Sequence, residues 1–464
     1  MKRVLALTTL AALLAGCAVG PDYARPALQV PPQYPAQAVS DSQSGPPASW
    51  WTLYGDLILD TLVADALARN SDIELAVARV AEAEAFAREA GTSIFPSIDG
   101  SVGATRSRVS ASTATPAIAP LVRNDVRVAL GTSFEVDFWG RLRRGREGAN
   151  AAAEGSRYGR DVVLLSIAGL VAQTYFSLRA LDVQVRLARS TLTARRDSFD
   201  VAQSRARAGL ASDLDLNQSR IALADASILA RDLSRQRELA EHQLAVLTGK
   251  LEQRVPPVEQ PLPALPSLPA TGLPSSLLER RPDVRQAEQQ LTAANAQIGV
   301  AKAAYFPTIT LAANDGGQST ALASTINASA TIWSVGLNAV VPLLDWGRTT
   351  ARVDGATARR DQAVATYRKT AETAFREVAD ALSEVRQYRE LQRELEERAS
   401  YARNTLALVN TRYRSGYSAY LEVLDAQRTT NDAEQSVVRN RLALLAASVN
   451  LMKALGGGWA APGA

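Results

Sequence analysis

The chain has 464 residues, 47% hydrophobic and 21% charged, enough for two or three domains and too apolar for a disordered chain. Its 51 Lys and Arg against 47 Asp and Glu give a net charge of +4, too small an excess to signal a nucleic-acid patch. A single Cys excludes an internal disulfide or a CxxC metal site, and a single His, His242, leaves the usual imidazole chemistry without residues. Beyond the N-terminus no run of 18 consecutive apolar residues occurs, which excludes a bundle of membrane-spanning helices.

Met1-Lys2-Arg3 is a basic start, and Val4 to Leu14 is an apolar stretch too short to span a bilayer. It ends in Leu14-Ala15-Gly16-Cys17, which resembles a bacterial lipobox. Residues 1–16 then read as a lipoprotein signal peptide and Cys17 as the lipidated first residue of the mature chain. Ala18 rather than Asp follows it, so the expected destination is the outer membrane. Residues 17–50 are Pro-rich from 26 to 47 and read as an extended strap.

The remainder is one unit written twice, 51–250 and 274–458, joined by a Pro-rich linker at 251–273 and followed by a tail at 459–464. Asn70-Ser71-Asp72 through Phe95-Pro96 aligns with Arg281-Pro282-Asp283 through Phe306-Pro307 at an offset of 211. Trp139-Gly140-Arg141 and Trp346-Gly347-Arg348 match at 207, as do Arg205-x-Arg207-x-Gly209 and Arg412-x-Arg414-x-Gly416. Ordered landmarks at nearly fixed offset mark an internal duplication.

Each half predicts the same elements. A helix, from Asp72 to about Ile94 and from Asp283 to about Tyr305, stops before Phe-Pro because proline lacks an N–H and crowds its predecessor. Strands are expected at about 97–107 and 126–138, then 308–315 and 331–341. Apolar residues fall on even positions of 126–138 apart from Thr132, and on odd positions of 333–341. Such two-faced strands fit a transmembrane β-barrel, with a β-sandwich face as the alternative that alternation alone leaves open. Helices follow at about 141–206 and 213–248, then 348–413 and 418–455, Pro-free and rich in Ala, Leu, Arg, Glu and Gln. The first spans roughly 100 Å at 1.5 Å per residue. Gly209 and Gly416 end the longer helix of each half, behind basic residues that suit a helix C-terminus. Ser212-Asp213-Leu214-Asp215 reads as a capping box. Four strands cannot close a membrane barrel and open edges cannot face lipid, so more than one chain is required.

Gly20-Pro21-Asp22-Tyr23 after Cys17, Glu279 to Val284 (ERRPDV), Tyr305-Phe306-Pro307, Asp345-Trp346-Gly347-Arg348 and Tyr413 to Gln427 resemble the TolC family of outer-membrane efflux factors, closest to its lipoprotein branch, the OprM/NodT type. The resemblance spans essentially 17–459. It implies a mainly α fold with transmembrane β: a homotrimer whose 12-strand β-barrel continues into a 12-helix α-barrel through the periplasm. It further implies docking to a periplasmic adaptor and an inner-membrane RND pump, with passive export of small molecules across the outer membrane of a Gram-negative bacterium. By the same match Leu421, Asp425, Glu422, Asp215 and Tyr413 surround a periplasmic gate, and Arg205, Arg207, Gly209, Arg412, Arg414 and Gly416 form adaptor-docking tips. An Arg that some relatives carry two residues after the second-half Gly is Ser418 here.

Trp139 and Trp346 stand where strand gives way to helix and suit a membrane-interface belt, although strict alternation turns Trp139 inward and packing at the corner is the equal alternative. No P-loop, GxSxG or HExxH occurs, so no catalytic activity and no cofactor beyond the lipid is expected, and energy must come from a partner. The rival readings are the duct of a protein-secretion system and a lipid-anchored coiled-coil scaffold without a pore; the second leaves the two-faced strands unexplained.

Overall fold

The computed structural model describes residues 18–28, 46–110, 112, 121–268 and 277–459. The signal segment, Cys17, most of the strap, the end of the linker and residues 460–464 lie outside the described residues. The first half begins with a 3-10 turn at Trp50–Tyr54, then α1 (Leu57–Arg69), α2 (Ser71–Thr92), β1 (Ser97–Arg108), β2 (Val122–Glu135), α3 (Arg141–Arg207) and α4 (Asp213–Leu247). After a single helical turn at Leu277–Arg280 the second half runs α5 (Pro282–Ala303), β3 (Thr308–Ser319), β4 (Thr331–Val340), α6 (Arg348–Arg414) and α7 (Tyr420–Ala454).

The duplication is visible in the lengths. The helices α2 and α5 are both 22 residues, β1 and β3 both 12, α3 and α6 both 67, and α4 and α7 both 35. Sequence patterning assigned no element to 51–69, yet α1 forms there. Asp56 caps it by accepting from the N–H groups of Ile58 and Leu59, and Leu59, Leu62, Val63 and Ala66 share its buried face. Strand β2 spans 122–135 rather than 126–138, because Asp137 turns back to accept from the N–H groups of Leu142 and Arg143 at the start of α3.

The chain divides into two compact units, the boundary falling inside helices. One comprises the chain up to Ala27, Arg79–Ser156 and Gln286–Tyr367. It holds the sheet, four antiparallel strands in the order β1-β2-β3-β4, so β1 and β4 are its edges. Ile98 faces Thr132, Val102 faces Val128, Phe134 faces Leu311 and Leu311 faces Leu337, placing the apolar positions of all four strands on one face. Among the described residues nothing covers that face, and Ile98, Val102, Leu130, Trp333, Val335 and Leu337 are all exposed. The segment after Cys17 is strapped to this unit: Val19 donates its N–H to the Trp139 carbonyl, Asn295 donates to the Pro21 carbonyl, and Arg144 pairs with Asp22. Arg25 grips both oxygens of Glu288, which also accepts from the Tyr23 hydroxyl; burial, then that carboxylate, pushes Tyr23 up to about 12.

The other unit, Leu28–Ala78, Arg157–Arg285 and Arg368–Ala464, holds the principal core. Trp50, Leu59, Leu62, Val171, Tyr175, Phe176, Leu244, Leu445, Val449 and Met452 pack there out of solvent. One stretch of α3 is apolar and long enough to cross a membrane by composition, but its Val171, Tyr175, Phe176 and Leu178 are core residues of this unit. The Pro-rich linker begins by docking on charged side chains. Asp182 bridges Arg179 and Arg237, which donate to the carbonyls of Pro256 and Val255, while Glu241 accepts from the Val255 N–H. Farther along, Arg186 and Arg441 donate to the carbonyls of Glu259 and Pro263. Prolines leave carbonyls with no ladder partner, and guanidinium groups satisfy them. The Arg-Arg-Pro-Asp motif acts similarly: Pro282 is the first residue of α5, and buried Arg281 joins Asp283, Glu377 and the carbonyl of Ala454 at the end of α7.

Candidate functional site

The long helices turn back at two points built alike. After α3, Gly209 adopts φ 71°, donating to the Ala206 carbonyl while Leu210 donates to Arg205. After α6, Gly416 adopts φ 80°, donating to Tyr413 while Tyr417 donates to Arg412. Both are Schellman closures, in which a left-handed residue free of a Cβ satisfies the last helical carbonyls. Nothing lies within 4 Å of the space a Cβ would take at either glycine, so backbone conformation alone demands glycine there.

The restarts differ. Ser212 and Asp215 form the capping box, each side chain bonding the other's N–H. The matching residue Ala419 has no acceptor, so only half the box forms: Glu422 accepts from the Ala419 N–H and from the Ser418 hydroxyl. The Ser418 hydroxyl, then the Ala419 amide, holds the exposed Glu422 below the usual carboxylate range. Ser418 therefore holds the Glu422 carboxylate at the start of α7 rather than capping a backbone N–H itself.

Between the two turns lies a cluster that sequence reading recovered in part. The Arg205 guanidinium sits 4.8 Å from the centre of the Tyr413 ring, and that ring lies 5.7 Å from Tyr420. Tyr420 is buried; desolvation raises its pKa, opposed by Arg195 and supported by Asp215. Buried Arg195 is lowered, chiefly by desolvation, against Tyr420 and Asp225. Tyr413, Asp215 and Arg205 thus converge, and Tyr420 and Arg195 complete the group. Tyr420 falls inside the Tyr413–Gln427 motif, whereas Arg195 lies eighteen residues before the α4 restart residue Asp213 and carries no local signal. The other basic tip residues stay apart: Arg207 donates to Gln203 on its own helix and Arg412 to the Tyr417 carbonyl.

One turn along α7, Leu421 is 61% exposed and Asp425 is also exposed. Both line a groove of about 420 Å³ with Arg195, Asp225, Leu424 and Arg428. The groove thus brings an apolar side chain, carboxylates and guanidinium groups together on one side of the helices.

At the strand–helix corners the two tryptophans diverge. Trp139 stacks on Phe306 at 4.5 Å and 22° and donates its indole N–H to the Pro307 carbonyl, so it packs at the corner rather than lying on the surface. Trp346 is 89% exposed at φ 56°.

The model of the family described as outer membrane efflux protein matches residues 62–250 and 273–457, one segment in each half. The chain is 34% identical to the pyoverdine export outer membrane protein OpmQ of Pseudomonas aeruginosa, over 98% of this chain and 97% of that one. It is 33% identical to the solvent efflux pump outer membrane protein SrpC of Pseudomonas putida, over 96% of both. Among solved structures it matches the outer-membrane channel OprN with a TM-score of 0.89 at 29% identity, covering 96% of this chain and all of that one. The MtrE outer membrane channel of Neisseria gonorrhoeae matches with a TM-score of 0.81 at 28% identity, over 95% and 98%. With two matched repeats, one uncovered apolar sheet face and paired helical turns, the chain belongs to the outer membrane efflux protein family and is an efflux channel of the outer membrane.

Proposed function

We propose that three copies of this chain form the exit duct of a tripartite RND-type efflux pump, passing small molecules outward without an energy source of their own. The carrying observation is the sheet: four strands with one exposed apolar face and two open edges have no stable place in lipid until further strands close the ring. The turns at Gly209 and Gly416, with Arg205, Arg207, Arg412 and Arg414, are the docking tips for a periplasmic adaptor, whose own carrier is an inner-membrane pump. Leu421 and Asp425, backed by Tyr413, Glu422 and Asp215, form the gate, and adaptor contact at the neighbouring turns opens it. Cys17 carries the lipid. In support, the residues after it are bonded at the corner between β2 and α3, where Val19 donates its N–H to the Trp139 carbonyl, near the strands that enter the membrane.

Single-channel recording in planar bilayers tests the duct. Discrete conductance steps are expected from purified protein; a trimer that inserts and yields no steps, even after its tips are loosened by adaptor, rejects the reading.

A further inference from the structure

The end of the sheet farthest from the helices carries an unbalanced charge on its apolar face. The even positions of β1 are Ile98, Gly100, Val102 and Ala104, followed by Arg106 and Arg108, all exposed. The ladder sets Val102 against Val128, Ala104 against Val126, Arg106 against Asn124 and Arg108 against Val122. Successive residues of a strand point to opposite faces, so both guanidinium groups share the apolar face, while Arg123 and Arg127 lie on the other. On β2 the apolar run ends at the same row, where Asn124 follows Val126 toward the hairpin. From Phe134 to Val126 is about 27 Å along the strand, or about 20 Å of height at the usual tilt, against about 25 Å for the lipid-facing band of a membrane barrel. Arg106 therefore stands where the hydrocarbon ends.

The chain offers these two arginines no counter-charge. Among the described residues neither makes a hydrogen bond or ion pair. The segment from Val109 to Val122 has no charged residue, and neither has the stretch from Gly316 to Leu344, which contains the other far loop and all of β4. A neighbouring copy has none to offer from those segments either. Asp125 lies on the opposite face, where it accepts from Gln318. Asp315 does share the apolar face, but it is level with Leu130 and so with Gly100, six residues or about 20 Å down β1 from Arg106.

We propose that Arg106 and Arg108 bind a phosphate-bearing lipid headgroup of the outer leaflet, with its acyl chains lying on Val102, Ala104 and Val126 below. The two guanidinium groups stand about 7 Å apart along one face, and each presents a planar fork of donors that matches phosphate oxygens. Asn124 adds an amide beside them. A dissolved anion gains the charge contact alone, whereas a lipid gains it together with the apolar strip directly beneath. The inference rests on the reading above that the helices lie in the periplasm. Strand β1 follows α2 and β2 leads into α3, so the hairpin between them faces the cell exterior.

Native mass spectrometry of the full chain extracted in detergent reads the lipid directly. With bis-phosphorylated lipid A added at a fixed ratio, the parent is expected to retain it, and to retain the fully dephosphorylated lipid about tenfold less. Arg106→Gln combined with Arg108→Gln should lower retention of lipid A about tenfold at unchanged assembled mass. Arg127→Gln, which removes a charge from the other face, should match the parent. Equal retention by the Gln pair, an equal loss in Arg127→Gln, or no preference for the phosphorylated lipid overturns the site. Displacement by millimolar inorganic phosphate makes it a site for free anions and overturns the lipid. Sidedness has its own readout: Ser112→Cys in a Cys17→Ser chain, where it is the only thiol, should react with an impermeant maleimide on intact cells. A thiol that reacts only after the outer membrane is opened overturns the orientation and this proposal with it. A thiol labelled from outside, on a chain indifferent to lipid phosphate, overturns the lipid site alone.

Discussion

The carboxylate of Asp425 and the side chain of Leu421 lie one helical turn apart on α7, both open to solvent in the single chain and both on the groove that Arg195 and Arg428 line. In the gate proposed above, where three copies surround one axis, the carboxylates would attract cations and the leucines would narrow and dry the path. Leu421→Ala is expected to raise basal conductance, and Asp425→Ala to reduce cation selectivity at low salt, where screening is weakest. Reversal potentials and step sizes in bilayers read both effects, and unchanged values in both variants would place the constriction elsewhere. Asp345 acts on stability instead. The Thr349 side chain, then backbone N–H groups, holds its carboxyl below the usual range, so its contribution is complete above the unfolded carboxyl value near 4 and fades as the pH falls through the folded one. Asp345→Asn should unfold at a lower temperature than the parent at pH 7 and converge with it toward pH 2; a constant gap across that range would contradict the cap.

Two kinds of element carry the architecture, helical turns and a docked linker. Gly209 and Gly416 are left-handed with open space around them, so Gly209→Val or Gly416→Val should cost about 1–2 kcal/mol at the turn through backbone strain alone. The trimer should persist while cross-linking to the adaptor falls; wild-type cross-linking in a folded trimer would remove the tips from the docking surface. The linker is held differently, by Asp182 between Arg179 and Arg237. Asp182 is almost wholly buried, and Asp182→Ala leaves two guanidinium groups facing each other without it. A loss of about 3–5 kcal/mol is expected, together with faster proteolysis between Val255 and Pro263. Denaturant unfolding and limited digestion measure the two, and a stable variant with a protected linker would show that the carbonyl contacts suffice.

For the whole molecule, the strap after Cys17 is bonded to the sheet-bearing unit through Asp22, Tyr23 and Arg25. The proposed acylation of Cys17 would therefore add a membrane anchor to a segment already held by the fold, an acyl chain contributing roughly 0.8 kcal/mol per buried CH₂. Cys17→Ser should abolish palmitate labelling and lower outer-membrane abundance, with the strands still inserting. Label retained on the Cys17→Ser protein would assign the lipid to another residue.

Periodicity and repetition made much of this legible in the sequence. The offsets of 211 and 207 located both halves, the Phe-Pro pairs and Gly209 and Gly416 located the helix ends, and alternating residues located the strands. All of these are local properties, written in proline's missing N–H, glycine's missing Cβ and the period of two along a strand. Helix α1 was equally local in its capping Asp56 and its Leu59-Leu62-Val63-Ala66 face, but it lies beside a Pro-rich strap and outside the matched landmarks, and patterning passed over it. What only the tertiary structure decided depends on residues distant in sequence. Arg195 meets Tyr420 across 225 positions, Arg25 finds Glu288 across 263, and the linker's carbonyls find guanidinium groups from α3, α4 and α7. The two matching tryptophans part company for the same reason. Trp139 stacks on Phe306 of the second repeat, whereas Trp346 is 89% exposed in the single chain, a difference set by which distant residue reaches each corner and encoded by no local pattern.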